Sequence, residues 1–330
     1  MLDGVMRTIG CVVVMAMWAS GQEKATLAVV HKLGGGVGFY TAEGKFLSAA
    51  PLSKHPHEML LSADGKTLYV SDNGLVWMTD PGEGENTISI VDVATRKKVG
   101  AIDLGKNRRP HGMDLVPGKD QLVVTIENPD GLLLVDLKQR KVIRRYEVQG
   151  KKPHMVAVDK KGEHAYVSND ASDTVAVIHL ATGKMVKLMP MGRRPQGGVM
   201  TADGRQFYLT NMDAGEVLVI DTAKQEVVRR MKADGGPARI ALTPDGKTLV
   251  YNQQKINGAA IVEAATGKVI AALKLPGMPL LLTMSPDGRW AYAGLQDTGK
   301  VAVIGVAERK IVRVIDTPKG AGPDPVIPLP

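Results

Sequence analysis

The sequence predicts an all-β fold, a seven-bladed β-propeller of four-stranded antiparallel blades. Three observations carry this reading: prolines recur about every 42 residues, each interval repeats one strand grammar, and the two ends of the chain add up to one further unit. The junction prolines are Pro56, Pro110, Pro153, Pro195, Pro237, Pro279 and Pro323, with successive spacings of 54, 43, 42, 42, 42 and 44. Self-similarity at this period marks a repeat architecture.

Each unit opens on a short apolar strand after the proline, such as "MVAV" or "RIAL". An Asp-Gly turn follows ("ADGK" at Ala63, "ADGR" at Ala202, "PDGK" at Pro244, "PDGR" at Pro286), then a second strand with Tyr or Val ("TLYVSD", "HAYVSND", "QFYLTN"). A third strand ("TISIVDV", "TVAVIHL", "EVLVID", "VAVIGV"), a turn such as "ATGK" and a fourth strand such as "KVIRRYEV" complete it. Four short alternating strands with tight turns make one propeller blade. Residues 26–50 read as three strands, and "PDPVIPLP" at the other end matches a first strand. The two ends should therefore share the seventh blade and close the ring, leaving no open sheet edge.

Composition agrees. Of 330 residues 44% are hydrophobic and only 4% aromatic, with 37 Gly and 19 Pro, a bias that suits short strands and turns. Residues 1–21 read as an export signal, with Arg7, an apolar stretch from Ile9 to Trp18 and a small-residue cleavage site "ASG" before Gln22. That stretch is about half the roughly 20 residues a membrane span needs. The expected layout is a signal peptide over 1–21, a single propeller domain over 22–330, a periplasmic or extracellular location, no transmembrane anchor and a monomer. Cys11 is the only cysteine, so the exported chain would have no disulfide, no thiolate nucleophile and no covalent c-type haem site.

The stretches "HPHEMLLSADGKTLYVSDNG", "KPHMVAVDKKGEHAYVSNDASDTVAVIHLATGK" and "RPQGGVMTADGRQFYLTNMDAGEVLVID" resemble the YVTN repeat of bacterial and archaeal seven-bladed propellers. The resemblance covers almost everything after residue 25. It implies the fold and leaves function open, because such propellers include surface proteins, lactonase-like enzymes and haem-binding domains of nitrite reductases.

Three features fall on one face, around the mouth of the central channel. His57, His111, His154 and Gln196 follow the proline in four consecutive blades, where the remaining blades have Ala238, Leu280 and Asp324. Basic pairs precede the proline at Arg108-Arg109, Lys151-Lys152 and Arg193-Arg194. The 54-residue interval carries an insertion of about 12 residues, "GLVWMTDPGEGE" from Gly74 to Glu85, between second and third strands; long loops of this kind are usually functional. Asp72, Asn73, Glu127, Asn169, Asp170 and Asn211 end second strands on the same side.

Arg109, Lys152, Arg194, Gln196, Asn169 and Glu127 are thus the candidate ligand-binding residues, and His57, His111 and His154 the candidate ligands of a divalent metal (Zn, Mn or Cu). The net charge of +8 favours an anionic small molecule, an acidic polysaccharide or an envelope protein as partner. Nucleic acid is not favoured, because aromatics are too few and scattered for base stacking. Two enzymatic alternatives stand beside simple binding: a metal-dependent lyase or hydrolase of acidic sugars centred on the three histidines, and a lactonase using Glu58 or Glu127. The sequence has no HExxH, GxSxG or CxxCH, its "DGKT" turns lack the P-loop glycine, and "GGGVG" (Gly34 to Gly38) reads as a loop.

Overall fold

The structure is a computed structural model and describes residues 23–330. The export signal and its cleavage site lie outside these residues. Twenty-eight strands form seven four-stranded antiparallel sheets, and a 3-10 turn at Gln254–Ile256 is the one helical element among the described residues. Blade 1 spans 56–103, blade 2 108–146, blade 3 153–190, blade 4 195–232, blade 5 237–274 and blade 6 279–316. Blade 7 is built from both ends: Pro323–Pro328 is its inner strand and pairs with Leu27–His31, followed by Gly36–Tyr40 and Phe46–Pro51. Each inner strand packs against the inner strands of the two neighbouring blades, all the way round, so the ring closes as the sequence predicts. No described helix is long and apolar enough to cross a membrane.

A twisted four-stranded sheet has two faces to bury, and only a ring of stacked sheets covers both. The apolar residues accordingly form seven clusters, one at each blade interface, with no single centre. Leu27, Val29 and Tyr40 of blade 7 pack against Tyr292, Val301 and Ile315 of blade 6, and Ala28 and Val30 against Met59, Leu68 and Val70 of blade 1. Closure is therefore made of core packing as well as strand pairing.

The third residue of the Tyr-Val-Thr-Asn-like second strands has a job visible at three consecutive interfaces. The Thr125 hydroxyl donates to the carbonyl of His154 (2.8 Å), Ser168 to that of Gln196 (2.7 Å) and Thr210 to that of Ala238 (3.0 Å). Each hydroxyl thus pins the junction residue of the next blade. At the outer edge, arginines do similar work: Arg144 donates to the carbonyls of Leu180 and Ala181, Arg229 to those of Ala264 and Ala265, and Arg313 to that of Ala42.

The "GGGVG" run departs from the loop expectation. Gly34 and Gly35 turn, but Gly36 to Gly38 are in a strand of blade 7. A Cβ on Gly38 would run into the buried His31 ring, so the glycine makes room for a histidine whose Nε2 meets the Tyr40 hydroxyl at 2.7 Å.

Candidate functional site

The junction motif owes its chemistry to a bulge. In blades 1 to 6 the inner-strand register slips just after the proline, between Pro56 and Met59, Pro110 and Met113, Pro153 and Val156, and so on. Two consecutive residues per blade leave the ladder, and bulges of this kind re-aim side chains. They are His57-Glu58, His111-Gly112, His154-Met155, Gln196-Gly197, Ala238-Arg239 and Leu280-Leu281. The first member of each pair lines the channel mouth, and Glu58 and Arg239 line it from the second position.

The residue before the proline is also unusual. His55, Arg109, Lys152 and Arg194 have φ between 46° and 59°, whereas blades 5 and 7 use Gly236 and Gly322 at the same place. A left-handed conformation costs a non-glycine residue about 1–2 kcal/mol. Side chains are kept there, in the same four blades that carry His, His, His and Gln, because they make contacts a glycine cannot. Arg109 pairs with Glu127 at 2.8 Å and donates to the Met78 carbonyl at 2.7 Å, and Lys152 donates to that carbonyl at 2.9 Å. Arg194 pairs with Asp170 at 3.3 Å, and His55 meets the Lys32 carbonyl at 3.2 Å.

The Arg109 and Lys152 bonds to Met78 hold the 74–85 insertion over the channel mouth, as its position in a second-to-third-strand loop predicts. His57 Nε2 donates to the Leu75 carbonyl at 2.6 Å, and Arg108 donates to that of Gly84 at 2.8 Å. Beneath the loop lies a cavity of about 310 Å³. Val76, Trp77, Met78 and Thr79 roof it, and its walls include Lys32, His57, Glu58, His111, His154, Arg194, Gln196, Arg239 and Asp324. The Lys32 ammonium sits 5.5 Å from the Trp77 ring centre.

The three histidines form a row with His111 in the middle. Ring centres are 4.7 Å apart for His57 and His111 and 4.3 Å for His111 and His154. His57 Nδ1 faces His111 Nε2 at 3.5 Å, His111 Nδ1 meets Glu127 Oε1 at 2.6 Å, and His154 Nδ1 is buried without a partner. Burial, followed by the nearby Lys32 charge and the neighbouring His111 ring, holds His57 well below the ordinary histidine range. His154 is lowered in the same way, first by burial and then by His111, Arg239, His57 and Arg194. Both rings are thus kept neutral, chiefly because a proton's charge on either would be taken out of water.

The structure brings five of the nine candidate residues to the cavity wall: His57, His111, His154, Arg194 and Gln196. Arg109, Lys152 and Glu127 stand behind it, gripping the loop and His111. Asn169 is elsewhere. It is fully buried at its strand end, where its amide donates to Thr174 at 3.1 Å, so it braces blade 3 and is not in the cavity wall. Sequence comparison of junctions and strand ends passed over Lys32 and Arg239. Both had a signal: Lys32 follows a second strand as Asp170 does, and Arg239 stands two residues after its proline as Glu58 does.

The expected basic concavity is also corrected. Nearly every cation at the mouth is matched: Lys32 with Asp324 (3.0 Å), Arg239 with Glu58 (3.0 Å), Arg109 with Glu127 and Arg194 with Asp170. The excess positive charge is on the blade edges, where the seven outermost strands carry 12 Lys and Arg against three Asp and Glu. Charged residues on an exposed edge strand discourage pairing with another chain. The +8 is thus chiefly a property of the rim.

Seven closed blades with a looped-over, histidine-lined channel mouth define the class: a seven-bladed propeller with one roofed cavity on its axis. The family follows from the sequence itself. A model of the YNCE-like beta-propeller family matches residues 149–327, more than half the chain, and the chain belongs to that family. No curated protein matches it. Among solved structures it is similar to a hydrazine synthase chain of Kuenenia stuttgartiensis (20% identity, 84% of this chain and 91% of that one, TM-score 0.73). It is similar also to a functionally unknown protein of Desulfotomaculum acetoxidans DSM 771 (13%, 93% and 99%, 0.77). A third is the periplasmic gluconolactonase PpgL of Pseudomonas aeruginosa (17%, 93% and 99%, 0.75). At these identities the likeness is one of fold.

Proposed function

We propose that this protein works outside the cytoplasm as a binding protein for a small polar molecule carrying no more than one negative charge, held in the roofed cavity at the channel mouth. The cavity carries this reading. Its volume of about 310 Å³ is at the low end of the roughly 300–1,000 Å³ typical of ligand pockets, which suits a small metabolite better than a polysaccharide chain. Its wall sets three cations, Lys32, Arg194 and Arg239, against two carboxylates, Glu58 and Asp324, and Arg194 is shared with Asp170 behind it, so the wall favours at most one anionic group. Ala238, Leu280 and the Trp77 ring supply an apolar side, so the ligand would be amphiphilic at small scale. The export reading of residues 1–21 supports the location.

Hydrolysis of a lactone is the second reading. One observation favours it: Glu58 puts a carboxylate in the cavity wall, 3.9 Å from His111 Nε2. Its bond to Arg239 ties that carboxylate to a cation, and binding remains the reading the geometry supports best.

Trp77 makes the test direct. Small carboxylates, sugar acids and lactones are screened by thermal shift, and hits are titrated by tryptophan fluorescence in a Trp290→Phe background, which leaves Trp77 as the tryptophan of the described residues. A true ligand shifts Trp77 emission and loses at least tenfold in affinity with Arg239→Met. Hits that bind Arg239→Met and Gln196→Leu as tightly as the unsubstituted protein would place the site elsewhere and refute the reading.

A further inference from the structure

The geometry points to a seat for one divalent transition-metal ion between His57 Nδ1 and His111 Nε2, with Glu58 as third protein ligand and the remaining position open to the cavity. The argument starts from the outer nitrogens. His57 Nε2 lies 2.6 Å from the Leu75 carbonyl, which only accepts, so that nitrogen carries the hydrogen. His111 Nδ1 lies 2.6 Å from a Glu127 carboxylate oxygen, so there too the outer nitrogen carries it. In the neutral rings the lone pairs are then on His57 Nδ1 and His111 Nε2, and these two atoms face each other at 3.5 Å. Opposed lone pairs at that distance repel unless something positive lies between them.

A metal fits the spacing. Two imidazole nitrogens bound at 2.0–2.1 Å in a tetrahedral shell stand about 3.3–3.4 Å apart, close to the separation seen. Glu58 Oε1 is 3.9 Å from His111 Nε2 and joins on releasing the Arg239 guanidinium that it pairs with at 3.0 Å. His57 and Glu58 are the two consecutive residues of the blade 1 bulge, which is why one blade delivers both. The orienting partners are those a bound histidine ordinarily has: a carboxylate behind one ring and a carbonyl behind the other. Glu127 is itself anchored by Arg109 at 2.8 Å. His154, whose Nδ1 is buried and unpartnered, stands on the far side of His111, its ring 4.3 Å away, and is not a ligand of the seat. Two imidazoles and a carboxylate suit zinc, with copper and nickel as competitors.

The seat occupies the wall of the cavity assigned above to a small ligand and adds a cofactor to that reading. It is measured with the metal alone, so either can fail without the other. A competing location is on the opposite face, where Asp159, Glu163 and His164 bring ligand atoms within 4.8 Å of one another. That cluster is the turn between the first two strands of blade 3, with Asp159 accepting from the Glu163 amide and meeting His164 Nδ1 at 2.8 Å. Those bonds already account for its geometry.

The experiment uses the full chain without an affinity tag, stripped by a chelator, dialysed, and titrated with Zn²⁺ and Co²⁺. One equivalent should bind, and cobalt should give the intense visible absorption of a four-coordinate site. His57→Gln and His111→Gln should each weaken binding at least 100-fold. Glu127→Gln, which removes no ligand, should weaken it by about 10- to 100-fold, and thermal unfolding of the metal-free proteins checks that each variant is folded. His164→Ala should bind as the unsubstituted protein does. Three results would each overturn the proposal: no stoichiometric metal, in which case a shared proton joins His57 to His111; metal lost with His164→Ala and kept with His57→Gln; or Glu127→Gln binding undiminished.

Discussion

Asp114 offers a stability test with a calculable size. It stands half-buried on the inner strand of blade 2, with one oxygen accepting from the Val158 amide of blade 3 at 2.8 Å and the other from the Leu115 amide at 2.9 Å. Burial raises its carboxyl from 3.8 to about 6, more than these two bonds lower it. A raised folded value means that the folded state holds the proton more tightly, so stability is full below the unfolded value and is lost as pH rises through about 6. A shift of that size corresponds to about 3 kcal/mol. Asp114→Asn cannot titrate, and the amide oxygen still accepts one of the two bonds. The variant should therefore gain on the natural protein by about 2–3 kcal/mol as pH is raised from about 4 to about 7.5. Comparison is essential, because His31 acts in the same window with opposite sign. Burial lowers His31 from 6.5 to about 4, so its contribution is full above 6.5 and is lost as pH falls. The two slopes nearly cancel in the unsubstituted protein. They lie in blades 2 and 7 and should add independently. Chemical denaturation midpoints of both proteins at several pH values are the assay. Parallel pH profiles would refute the reasoning and show that Asp114 is ionised in the fold without penalty.

His31→Gln should remove that residue's share of the acid-side slope, gaining about 3 kcal/mol on the natural protein between about pH 7 and pH 4; midpoints measured as above check it. Deleting residues 323–330 removes the inner strand of blade 7 and bares an edge, so the truncated chain should lose several kcal/mol and associate; calorimetry and light scattering read this, and an unchanged, monomeric melting curve would contradict ring closure. Thr125→Val keeps the side-chain shape but drops the hydroxyl that holds the His154 carbonyl, which should cost about 1–3 kcal/mol by urea denaturation.

The sequence by itself determined the ring. Proline spacing counts blades, Asp-Gly turns and alternating strands fill each one, and the fragments at 26–50 and 323–328 have no buried arrangement except together. All of that is local periodicity or simple completion, which a linear chain displays. It also placed His57, His111, His154 and Gln196 at the channel mouth, because equivalent repeat positions are related by rotation about one axis. Tertiary structure alone decided what surrounds them. The bulge that brings the residue after the proline to the channel mouth, and in blades 1 and 5 the next residue as well, is a matter of register between strands, and nothing in "PHE" or "PHG" announces it. Arg239 meets Glu58 from 181 positions away, and Lys32 meets Asp324 from 292. Charge cancellation of that kind is invisible in a net charge of +8, and it turned an expected basic bowl into a nearly neutral one. Asn169 shows the converse: its place at the end of a second strand matched the site pattern, yet its side chain turns into its own blade, since a strand position fixes the backbone and packing fixes where the amide points.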